Sequence, residues 1–126
     1  MYKGKYRVKI IAPASGHNEA YNILSEACEW IEQYKEFDVT YNEDIFAETN
    51  PPFYSNIRDY RYRDLYEALV DDDVDIIWCF RGGYGSMELI DEKLLALQPQ
   101  NKILIGFSDI TALHFLFAQQ YNLISI

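Results

Sequence analysis

The chain has 126 residues, enough for one domain and too few for two. Hydrophobic residues make up 49% and aromatic residues 16%, which excludes a disordered chain and calls for a packed core. With 20 acidic against 11 basic residues the net charge is −9, and such a surface repels nucleic-acid phosphates and anionic lipid. No apolar run is long enough for a membrane span and no secretory signal pattern opens the chain, so a cytoplasmic protein with no membrane or nucleic-acid partner is expected. Cys28 and Cys79 fall in apolar helix-like and strand-like segments; buried free thiols are expected, because two cysteines make no metal-ligand set.

Residues 6–12 (YRVKIIA) form an apolar, β-branched run ended by Pro13-Ala14-Ser15-Gly16, which reads as a buried strand entering a turn. From Ala20 the apolar residues Ala20, Ile23, Leu24, Ala27, Trp30, Ile31 and Tyr34 recur at helical spacing. Residues 37–41 (FDVTY) alternate as a short strand, and residues 42–56 form a polar loop in which Pro51-Pro52 bars a helix. Ser55 is placed to cap a helix over residues 56–70 that turns Leu65, Ala68 and Leu69 inward. Asp71-Asp72-Asp73 opposes that helix's dipole and favours ending it there.

Residues 74–80 (VDIIWCF) are a third strand, followed by Arg81-Gly82-Gly83-Tyr84-Gly85 and a short helix over residues 86–97. Residues 102–106 (KILIG) are a fourth strand, and residues 109–121 the clearest helix. Alternating helices and continuous apolar strands indicate an α/β fold, a parallel sheet flanked by helices on both faces. The expected strand order is 2-1-3-4, so the turns at residues 13–17, 81–85 and 106–109 share the carboxyl edge, where α/β sheets bind ligands.

Gly106-Phe107-Ser108-Asp109 joins a strand directly to a helix, the context of a nucleophile elbow. Such a turn lifts the Ser108 hydroxyl off the sheet and aims helix N–H groups at charge formed beside it. Ser108 should then have a positive φ and lie within ~15 Å of Gly83, the span of a shared small-ligand pocket. Ile110 stands where the common G-x-S-x-G pattern has its second glycine. The plainer alternative is that Ser108 or Asp109 only caps the helix. In Arg81–Gly85, three glycines in four positions permit close backbone approach to a ligand, and their N–H groups could complete an oxyanion hole. A flexible turn and a phosphate loop compete with that reading; no phosphate-loop fingerprint is present.

Arg81-Gly82-Gly83-Tyr84-Gly85-Ser86, followed by residues 102–114 (KILIGFSDITALH), resembles the L,D-carboxypeptidase family of serine peptidases in murein recycling, which includes the microcin-immunity peptidases. Residues 11–15 (IAPAS) and Arg61-Tyr62-Arg63-Asp64-Leu65 resemble the family's first turn and its R-x-x-D-L helix. The resemblance implies a flavodoxin- or glutamine-amidotransferase-like N-terminal domain with a nucleophile elbow. It implies a Ser-Glu-His peptidase that removes a terminal D-amino acid from a murein tetrapeptide, without metal or organic cofactor. Carried over by position, Ser108 is the nucleophile, Asp109 with Gly83 or Gly82 forms the oxyanion hole, and Arg81 and Tyr84 meet the substrate.

The family's Glu and His lie in a C-terminal domain absent from residues 1–126, so this chain is expected to be nearly inactive alone. An apolar surface meant for that domain would favour a homodimer. His114, six residues after Ser108 and about 240° round a helix from it, reads as a partly buried core residue, and His17 as a loop histidine. Two function classes follow: a fragment of the peptidase, or a non-catalytic peptide-binding or partner-dependent module. A glutaminase-like domain fits less well, because the elbow carries Ser and not Cys.

Overall fold

The computed structural model describes residues 5–16, 19–49, 54–81, 85–106 and 110–126. Parallel strands β1 (Tyr6–Ile11), β2 (Phe37–Thr40), β3 (Ile76–Cys79), β4 (Ile103–Ile105) and β5 (Ile124–Ser125) form one sheet in the order β2-β1-β3-β4-β5. The expected order 2-1-3-4 therefore holds, with β5 added beside β4. A two-residue strand carries no period, so nothing in the sequence pattern marks it. Ile11 pairs with Cys79 and Trp78 with Ile105, which brings the ends of β1, β3 and β4 level at one edge.

Period-two alternation distributes the strand residues to two cores. Ile10 and Ala12, with Trp78 and Phe80, pack with Leu24 and Ile45 on one face. Ile11, Ile77, Cys79 and Leu104 pack on the other with Leu65, Leu69, Leu113 and Phe117. Covering both faces is what makes β3 and the end of β1 read as apolar runs. Each such fully buried Leu or Ile contributes about 1.5–3 kcal/mol.

Helix α1 (Ala20–Glu32) buries only Ala20, Leu24 and Ile31. Ile23, Trp30 and Tyr34, expected on its inner face, are exposed. The helix lies against β2, the edge strand, where a narrow stripe suffices. Trp30 and Tyr34 instead meet edge to face, 5.6 Å between centroids. Cys28 in this helix is half-buried, whereas Cys79 is buried; both are free thiols.

Helix α2 spans Arg58–Val70, with Leu65, Ala68 and Leu69 buried as expected. Ser55 does not cap it: the capping position is Ile57, and no side chain fills that role. The helix ends at Asp71, as the acidic run implies. The buried Lys102 ammonium donates to the carbonyls of Asp71 (2.5 Å) and Val74 (2.7 Å), setting a cation at the negative end of the helix dipole.

The helix expected over residues 86–97 is two pieces, a 3₁₀ turn (Met87–Leu89) and α3 (Glu92–Ala96). Asp91 takes extended backbone between them and accepts a hydrogen bond from the Leu94 N–H at 2.9 Å, a local cap that outcompetes continuation. The last helix also divides, into α4 (Thr111–Phe115) and wide π-type turns (Leu116–Tyr121). Those turns carry the Tyr121 hydroxyl to the Leu94 carbonyl at 2.5 Å, and Asn122 closes the segment at φ 55°. Among the described residues no helix is long and apolar enough to cross a membrane.

Candidate active site

The turn after β1 is stitched to residues 54–56 rather than left as a free loop. Ser15 and Tyr54 form an antiparallel bridge, and the Ser55 N–H donates to Ala14 O at 3.0 Å. The hydroxyl that the sequence assigns to a helix cap donates instead to Ala12 O at 2.5 Å. The Asn56 amide donates to Asp44 O at 2.8 Å, tying the same segment to the loop after β2.

The turn after β3 is described at its two ends, Arg81 and Gly85; Gly82, Gly83 and Tyr84 lie outside the described residues. Arg81 is exposed, and its Nη1 donates to Gly16 O at 3.1 Å, so the turns after β1 and β3 meet as their shared edge requires. Gly85 has φ +114°, a conformation that favours glycine. A Cβ there would stand 2.8 Å from Arg61 Nη1 and 2.9 Å from the Tyr54 ring. Arg61, only 2% exposed, fills the space beneath.

Phe107, Ser108 and Asp109 lie outside the described residues, and with them the expected φ of Ser108, its separation from Gly83 and the Asp109 N–H. The flanks are described. β4 ends at Ile105 and α4 starts at Thr111, two residues later than the helix start expected at Asp109. Gly106 and Ile110 close on one another across that junction: a Cβ on Gly106 would overlap Ile110 Cδ1 and come within 3.2 Å of Cys79 Cβ. His114 is half-buried, as the sequence implies, with Nε2 3.0 Å from Gly106 O. His17 lies outside the described residues.

A cleft of about 870 Å³ opens on this edge, within the usual range for small-molecule sites. Ser15, Gly16, Tyr54, Ser55 and Arg81 line it from the two turns, Phe46 and Glu48 from the loop after β2, and Glu19 and Tyr21 from the start of α1. It therefore offers one guanidinium, two carboxylates and aromatic surface, a lining suited to a polar ligand with apolar parts. Burial pushes the Cys79 thiol far up, and burial followed by Glu32 raises that of Cys28, so neither cysteine is a thiolate nucleophile. Among the described residues no group of His, Cys, Asp and Glu side chains could hold a metal ion.

Of the residues assigned roles by sequence, Arg81 is placed beside the cleft, and Gly106 and Gly85 frame the undescribed segments. Arg61, Tyr54 and Phe46 are contributions that sequence reasoning gave no role. A signal for Arg61 was present: it and Asp64 fall at helical spacing with the inward Leu65 and Ala68, and both are buried. Asp64 pairs with Lys9 at 3.4 Å and accepts from Asn42, while burial still holds its carboxyl above the ordinary range.

A family model described as the peptidase S66 LD-carboxypeptidase N-terminal domain matches residues 8–126. A putative carboxypeptidase of Rickettsia conorii is 32% identical over 116 residues, covering 91% of this chain and 35% of the relative. The murein tetrapeptide carboxypeptidase of Pseudomonas aeruginosa is 33% identical over 111 residues, 85% of this chain and 34% of the relative. Among solved structures, the microcin C7 self-immunity protein MccF in its wild-type apo state superposes with a TM-score of 0.77 at 21% identity, over 98% of this chain and 37% of that one. The muramoyltetrapeptide carboxypeptidase of Oxalobacter formigenes superposes with a TM-score of 0.74 at 24% identity, over 94% and 38%. At those identities the structures establish the fold alone. The chain spans about a third of the length of the curated relatives it matches.

Proposed function

Because the chain belongs to the LD-carboxypeptidase N-terminal domain family, we propose that it is the nucleophile-bearing part of a cytoplasmic serine carboxypeptidase that removes a terminal D-amino acid from a murein-type tetrapeptide. The observation that carries this reading is the meeting of the turns after β1 and β3 beside a cleft, on the edge from which the Ser108 junction also leaves the sheet. A relative that acts on murein tetrapeptide supports the substrate class.

In this reading the Ser108 hydroxyl attacks the carbonyl carbon of the scissile amide. The N–H groups of Asp109 and of Gly83 or Gly82 stabilise the tetrahedral oxyanion, an interaction of the kind worth about 10²–10³ in rate. Arg81 and Tyr84 receive the peptide's polar end. The base that takes the Ser108 proton and returns it to the departing amine comes from a histidine oriented by a glutamate in a C-terminal domain. Water then hydrolyses the acyl-enzyme by the same route in reverse.

The test is turnover of an L,D-linked tetrapeptide by the full-length protein, beside Ser108→Ala. Release of the terminal D-amino acid, reduced about 10⁶-fold by Ser108→Ala, is expected. Binding of the tetrapeptide without turnover would assign the fold to a peptide-binding module instead.

A further inference from the structure

Arg61 is a buried cation whose donors go to three backbone carbonyls and one carboxylate. Its Nε donates to Asn56 O at 3.0 Å, and its Nη1 to Pro13 O at 3.0 Å and Gly85 O at 3.1 Å. Its Nη2 pairs with the carboxylate of Glu88, and its Cζ lies 4.7 Å over the Tyr54 ring. One planar group thus joins the turn after β1, the segment 54–56, the end of the glycine-rich turn and the 3₁₀ turn behind it. Taking a guanidinium out of water is costly, and an apolar core would stabilise the fold as well or better. The arrangement fixes positions: outside the strands, no ladder sets Pro13 relative to Gly85, and a single guanidinium bonds both carbonyls.

We propose that Arg61 is a positioning residue for the reaction, holding the turn after β1 at Pro13 and the end of the glycine-rich turn at Gly85 in one register beside the cleft. This rests on the peptidase reading given above. Arg61 acts through these two backbones and does not touch substrate, since its fork points inward and is 2% exposed. Lysine cannot replace it, because an ammonium offers three donors from a point and not a flat fork reaching separate carbonyls. Misplacement of about 1 Å in a supporting segment is enough to cost about 10²-fold in rate.

The experiment combines hydrogen exchange with turnover in the full-length protein carrying Arg61→Lys. Losing hydrogen bonds to a charged donor speeds local opening by about tenfold or more. Exchange is therefore expected to rise by that factor in peptides covering residues 13–16, 54–57 and 85–89, while the β1–β3 ladder is unchanged. On the tetrapeptide, kcat is expected to fall about 10²-fold with KM within about threefold, the pattern of lost transition-state alignment. If Arg61→Lys does not fold, Glu88→Gln weakens the same fork from its half-exposed end, with the same exchange pattern and a kcat loss of about threefold expected. Exchange raised uniformly, or unchanged in these segments, would overturn the tie. Loop-confined exchange with unaltered kcat would overturn its catalytic consequence. A wild-type protein without turnover would remove the peptidase reading alone, and the exchange pattern would still decide whether Arg61 holds the two turns together.

Discussion

The side chain of Ile110 occupies the space above Gly106 that a Cβ would need. Ile110 is fully buried, and its Cδ1 fills the space beside Gly106. Gly106→Ala should therefore overpack the junction and destabilise the protein by about 1–3 kcal/mol. Ile110→Val removes the overlapping Cδ1 at a cost of about 0.5–1.5 kcal/mol alone. The double variant should be less destabilised than the sum of the two, which equilibrium urea unfolding of all four proteins measures. Strict additivity would show that Ile110 is not what excludes a side chain at Gly106.

The contact between His114 Nε2 and the Gly106 carbonyl engages this ring with the backbone of the same junction. His114→Gln, whose amide can still donate to a carbonyl, should retain Ser108-dependent turnover within about tenfold. Loss of a general base would cost about 10²–10⁴-fold, so the kcat of this variant separates the two roles. His114→Ala should lower stability instead, through an unpaired carbonyl.

The sheet order and the meeting of the turns after β1 and β3 were legible because both rest on local constraints. β3 and the end of β1 are covered on both faces, which leaves apolar runs in the sequence, and the turns that follow carry Pro13, Gly16, Gly82, Gly83, Gly85 and Gly106, which strand and helix interiors disfavour. What escaped was set by tertiary context. The apolar period of α1 gives no hint that its neighbour is an edge strand, so Trp30 and Tyr34 read as core and are exposed. Asp91 interrupts an acceptable helical pattern because its carboxylate finds the Leu94 N–H, a choice between two local hydrogen bonds that pattern alone does not decide. The helical spacing of Arg61 with Leu65 and Ala68 marks it as inward, but not the loop carbonyls it serves, which tertiary folding brings around it.

Tyr62 and Asp91 couple the fold to pH. The Tyr62 hydroxyl donates to Asp91 at 2.9 Å, and burial first, then this bond, pushes it up to about 12 from an ordinary 10.0. A folded value raised above the unfolded one means stability that is complete below pH 10 and lost as pH climbs through 12. Asp91 works in the opposite sense. The Leu94 N–H and then Tyr62 hold its carboxyl below the ordinary range, so its contribution is present above that range and fades as pH falls through the lowered value. Tyr62→Phe should be less stable than the parent at pH 8, and the difference should shrink between pH 10 and 12. Urea midpoints at pH 8, 10 and 11.5 test this; parallel curves across that interval would sink the assignment.

If the proposed peptidase reading holds, residues 1–126 alone should be nearly inactive on the murein-type tetrapeptide. A serine hydroxyl is a poor nucleophile at neutral pH without an adjacent base. Among the described residues, the histidine nearest the Ser108 junction in sequence already faces the Gly106 carbonyl. In a model serine protease, losing the triad histidine costs about 10⁶ in kcat and leaves about 10³–10⁴ over water from the oxyanion hole and binding. The short chain should show at most that residue of activity, and Ser108→Ala should change it little. The measurement is release of the terminal D-amino acid by the short and full-length forms at equal concentration, each with its Ser108→Ala control. Robust Ser108-dependent turnover by the short chain would mean that a local group serves as base, and His17 would be the first residue to substitute.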